Sequence, residues 1–128
     1  MWSIAAVQGA LVSASEDGTL RLWSVATNEC IAVRAAGRGP VHSVAALTGD
    51  VFVAGFADGH VVLYRIDHAR GAFEALDVVR AHEGEVYRVA RIDDQAFASR
   101  GYDGVARVWS LAHGLGHAET DGQYNFGT

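Results

Sequence analysis

The chain contains no lysine at all, and only one proline, one cysteine and one methionine in 128 residues. Its ten basic residues are all arginines, scattered along the sequence and outnumbered by fifteen acidic ones, for a net charge of −5. Without clustered cations there is no extended surface for phosphates, so a nucleic-acid partner is not expected. The lone Cys30 cannot form a disulfide within one chain, which points to a cytosolic or nuclear setting. No apolar run approaches the roughly 20 residues that cross a bilayer, so no membrane association is expected. The opening Met1 to Ser15 is apolar but lacks a basic leader region and is interrupted by Gln8 and Gly9, unlike a signal peptide.

Catalytic motifs are missing too. No nucleophile elbow, phosphate-cradling glycine loop or zincin motif occurs, and Gly37-Arg38-Gly39-Pro40 reads as a tight connection. His113 and His117 are four apart, but Gly114 and Gly116 separate them and no third ligand is evident, so no metal is expected. Cys30 falls on a strand where a small buried thiol is ordinary. The expectation is a chain with no catalytic, cofactor-binding or metal-binding residues, and not an enzyme.

What the sequence does have is a repeat. Half of the residues are hydrophobic, and three times an Asp-Gly pair is followed, six positions after the Asp, by an aromatic: Asp17 to Trp23, Asp58 to Tyr64 and Asp103 to Trp109. Successive Asp residues are 41 and then 45 positions apart, the period of four-stranded propeller blades. Asp-Gly suits a two-residue hairpin because glycine takes positive φ freely and aspartate tolerates it. First strands are expected at Trp2 to Val7, Val41 to Leu47 and Val86 to Ile92. Second strands follow at Leu11 to Ser15, Val51 to Phe56 and Ala96 to Gly101, several of them apolar on both faces, as stacked sheets require. Third strands alternate cleanly in Thr19 to Trp23 and Val105 to Trp109. Fourth strands fit Glu29 to Ala35 and Ala75 to Arg80, and none is evident after Trp109. The reading is eleven strands in three repeats, 1–35, 36–80 and a partial 81–110, then a polar C-terminal tail, 111–128.

On this spacing the chain resembles the WD40-repeat family over about Trp2 to Ser110. The resemblance implies an all-β array of three partial blades, too few to close a ring and similar to the C-terminal part of a longer propeller. Completion would then come from further blades or another chain. It also implies a buried tetrad of His, Ser or Thr, the turn Asp and the Trp. Carried over by position, unit three offers His82, Asp103 and Trp109, with Gly101 at the Ser position. Unit one offers Ser15, Asp17 and Trp23. Unit two keeps only Asp58, with Gly37, Phe56 and Tyr64 replacing His, Ser and Trp. No unit is expected to be complete.

The family's interaction surface is the top face, formed by residues flanking the first aliphatic of strand one and by the residue before the turn Asp. Here these are Trp2 and Glu16, then Pro40, His42 and Ala57, then Glu85, Tyr87 and Tyr102. The implied function is a scaffold subunit or protein-protein interaction module binding a protein or peptide there. The alternative is a structural array that completes a ring with another chain in a large assembly.

Overall fold

The chain is described here from a computed structural model, over residues 3–7, 9–35, 37, 39–47, 49–67, 70–110 and 124–125. The first sheet holds β1 (Ser3–Val7), β2 (Ala10–Ala14), β3 (Thr19–Ser24) and β4 (Cys30–Ala35). The second holds β5 (Val41–Ala46), β6 (Val51–Phe56), β7 (His60–Asp67) and β8 (Ala72–Arg80). β9 (Val86–Asp93), β10 (Ala96–Gly101), β11 (Val105–Ser110) and β12 (Tyr124–Asn125) make the third. Every strand pairs antiparallel with its sequence neighbour. The three sheets form an open array, and there is no helix among the described residues.

Local chemistry sets the hairpins. In the Asp-Gly turns the glycines sit at φ of 85° (Gly18), 90° (Gly59) and 76° (Gly104), where a side chain would be strained. Each Asp carboxylate accepts the N–H two residues on, from Thr19, His60 or Val105, closing an Asx-type turn. Gly59 has a second reason to be glycine. A Cβ there would lie 2.5 Å from the carbonyl oxygen of His82, which belongs to the following repeat.

The sheets stack face to face, β1 against β5 and β5 against β9. One core lies between the first and second sheets, around Val12, Leu20, Leu22, Phe52, Phe56 and Tyr64. The other lies between the second and third, around Val53, Val61, Leu63, Val86, Phe97 and Trp109. The second sheet is covered on both sides, which is why all six residues of β6 are buried and why its sequence does not alternate.

Three features differ from the sequence reading. The last sheet has a fourth strand, because Tyr124 and Asn125 pair with Ala106 and Val105 of β11. An edge strand's backbone groups pair with any extended segment in reach, and two residues are too short to show a period. β8 begins at Ala72 rather than Ala75, since the long β7 carries the hairpin out to Asp67 opposite Ala72 and buries Phe73. Cys30 is exposed, because it lies on the outer strand β4, whose other residues are exposed or half-buried.

Candidate functional site

The third sheet builds a complete polar network around His82, which is 3% exposed. Its Nδ1 lies 3.1 and 3.2 Å from the two carboxylate oxygens of Asp103, and its Nε2 lies 2.8 Å from Ser99 Oγ. Trp109 Nε1–H donates to the same Ser99 Oγ at 2.9 Å. With the imidazole proton on Nδ1, one relay satisfies all four groups: the indole donates to Ser99, Ser99 to Nε2, and Nδ1–H to Asp103. Asp103 also accepts the N–H groups of Glu83 and Val105.

The electrostatics agree with a neutral imidazole. Burial pushes the His82 pKa below its ordinary value, against the opposing pull of the Asp103 carboxylate. For Asp103, burial alone would raise the pKa. The hydrogen bonds from Val105 and Glu83 and the His82 contact together outweigh it and hold the carboxyl below its ordinary value.

Ser99 corrects the residue-by-residue reading. The hydroxyl stands four positions before the turn Asp, not two, and Gly101 is the floor on which His82 lies. A Cβ on Gly101 would come within 2.5 Å of the imidazole. The same shift holds in the first sheet, where Trp23 Nε1–H donates to Ser13 Oγ at 3.0 Å. Ser15 instead accepts the Asp17 N–H within the turn. The second sheet has Ala54 at this position. Serine at four before Asp in units one and three is the signal that would have identified it, since positions two apart share a strand face.

A different cluster spans the second and third sheets. Tyr87 and Tyr102 lie with ring centroids 4.3 Å apart, and are 46% and 60% exposed. Glu85 is held beside them, its carbonyl accepting the Tyr102 N–H at 3.0 Å. From the second sheet, His42 Nε2 reaches the Glu85 carboxylate at 3.2 Å. The Arg100 guanidinium lies 6.0 Å from the centre of the Tyr87 ring. A side-chain hydrogen bond with Tyr87, and then the neighbouring Glu85 charge, raise the Tyr102 phenol pKa above its ordinary value. Of the other top-face candidates, Pro40 and Ala57 are half-buried and joined by an N–H to carbonyl bond. Glu16 is exposed in the first sheet's turn, and Trp2 lies outside the described residues, as do His113 and His117. Among the described residues no group of three His, Cys, Asp or Glu could hold a metal ion.

The family model described as "WD domain, G-beta repeat" matches residues 3–24. The chain is an array of WD40-type blades. It is similar to "Structure of U3-55K", with TM-score 0.79 and 15% identity over 96% of this chain and 38% of that one. It is also similar to "Crystal structure of RRP9 WD40 repeats", with TM-score 0.77 and 16% identity over 97% of this chain and 36% of that one. The chain thus spans less than half the length of these solved chains. At such identities the likeness establishes the fold.

Proposed function

We propose that this WD40-type array is a non-catalytic protein-interaction module, and that its binding surface is the seam between the second and third blades. The observation that carries the reading is the exposed Tyr87–Tyr102 pair with Glu85 fixed alongside by His42. Two phenol rings offer rigid contact area at small entropic cost, and the ring faces and carboxylate both attract a cation. The fitting ligand is a peptide or protein segment with an apolar anchor next to an Arg or Lys. A displayed library of random peptides, selected on the parent chain, should converge on such sequences. Replacing both tyrosines by alanine should weaken the selected peptides by about 30-fold, a loss of about 2 kcal/mol, with an unchanged circular dichroism spectrum. Equal affinity in the folded double variant would place the contact elsewhere.

A second reading, in which the array completes a ring with another chain, draws on the first blade. Its outward face carries Ile4, 52% exposed, and a mainly apolar groove of about 270 Å³ lined by Ile4, Leu11, Trp23 and Val25 together with the uncharged polar Ser13, Ser24 and Asn28. Dissociation of a natural assembly by a charge placed at Ile4 would support it, and indifference to that charge would oppose it.

A further inference from the structure

The two internal blade interfaces share one polar device. Ser3 Oγ on β1 accepts the N–H of Val44 on β5 at 3.1 Å and donates to its carbonyl at 3.5 Å. Ser43 Oγ on β5 accepts the N–H of Val89 on β9 at 3.1 Å and donates to its carbonyl at 3.4 Å. In each case a serine on the first strand of one blade clasps both backbone groups of an aliphatic on the first strand of the next. The sequence shows the repeat directly: Ser3-Ile4, Ser43-Val44 and Arg88-Val89.

Among the described residues the same two positions recur at the ends of the array, as Ile4 and Arg88. Ile4 is the residue equivalent to Val44 and Val89, and it has the same register. Ile4 lies opposite Ser13, Val44 opposite Ala54 and Val89 opposite Ser99. In an antiparallel ladder, equivalent register turns the backbone groups the same way. The Ile4 N–H and C=O therefore point out of the inner edge, as those of Val44 and Val89 do, with the apolar groove beside them. At the other end the serine position is Arg88, exposed on β9. Val89 and Ser99 face the second sheet, so by strand alternation Arg88 and Arg100 lie on the outer face. Seating Arg88 on the Ile4 groove would strip water from a guanidinium with no acid supplied by the groove lining.

We propose that the outer face of the first blade docks a blade of a partner chain that bears Ser or Thr before an aliphatic on its first strand, and excludes the third blade of a second copy because of Arg88. This deepens the second reading above and rests on it.

Arg88→Ser turns the chain into its own probe, since its third blade then carries the serine of the internal interfaces. Sedimentation equilibrium should show a largely monomeric parent, an Arg88→Ser variant that self-associates about tenfold more tightly than Arg88→Ala, and loss of that gain on adding Ile4→Asp. Tenfold is the order expected from one net hydrogen bond. Arg88 and Ile4 are exposed, so the variants should fold, as circular dichroism would verify. If Arg88→Ser and Arg88→Ala associate equally and Ile4→Asp abolishes both, the face docks a blade but the serine clasp is wrong. A parent that already associates through Ile4 makes the second copy the occupant. Association unaffected by Ile4→Asp in every variant removes both the clasp and the docking reading.

Discussion

The second and third blades share a backbone plan but are held by different chemistry. In the third, His82, Ser99, Trp109 and Asp103 form a closed hydrogen-bond relay. In the second, Ala54 and Tyr64 stand where Ser99 and Trp109 would be. There Phe52 stacks on Tyr64 at 5.2 Å, and Phe73 packs edge-on to both rings at 5.8 and 5.6 Å. Position in the array explains the exchange. The second sheet has apolar neighbours on both faces and gains enough from burial to dispense with the network. The third has one inner face, and the relay joins β9's preceding loop, β10, the turn and β11. The turn Asp remains in both because its task is local.

The strongest way to break the comparison is to remove the aromatic cluster. Phe52→Ala leaves a cavity in a fully buried site and should destabilise the chain by about 3 to 5 kcal/mol in urea unfolding. The relay should yield less: Ser99→Ala orphans both the Trp109 N–H and the His82 Nε2, for about 1 to 3 kcal/mol. Gly101→Ala should fall in the same range, about 1 to 3 kcal/mol, by driving a methyl into the His82 ring. If Ser99→Ala proves as damaging as Phe52→Ala, the two blades do not divide the work in this way.

Acid should act on the third blade through His82 first and then Asp103. The folded His82 pKa lies below its ordinary value of 6.5, so the unfolded chain binds more protons between the two values. The contribution of His82 is full above about pH 6.5 and declines as pH falls through that value toward the folded pKa. Asp103, whose pKa is also lowered, adds a further loss as pH falls through its ordinary value of 3.8. Urea midpoints measured against pH should therefore decline on acidification in the parent. His82→Ala should flatten the upper part of that decline. The smallest effect is expected at the seam: Tyr87→Ala with Tyr102→Ala should change stability by no more than about 0.5 kcal/mol, as for exposed positions.

The Asp-Gly spacing and strand alternation determined the class of fold, the three sheets and the hairpins, because turn chemistry and period-2 patterning are local and survive any arrangement of the rest. The family resemblance, and not the spacing itself, pointed to Tyr87, Tyr102 and Glu85 as one group, and it is the structure that sets the two rings 4.3 Å apart. Three things were decided only in space. Which serine meets the tryptophan cannot be read from unit one alone, where Ser13 and Ser15 both precede the turn and only Ser13 reaches Trp23, and the packing of Gly101 under His82 is seen only in space. The pairing of Tyr124–Asn125 with β11 rests on two residues from the far end of the sequence. The clasp of Ser3 on Val44 and Ser43 on Val89 joins residues 41 and 46 positions apart. It exists only because the sheets stack, so that one blade's side chain meets the outward backbone of the next.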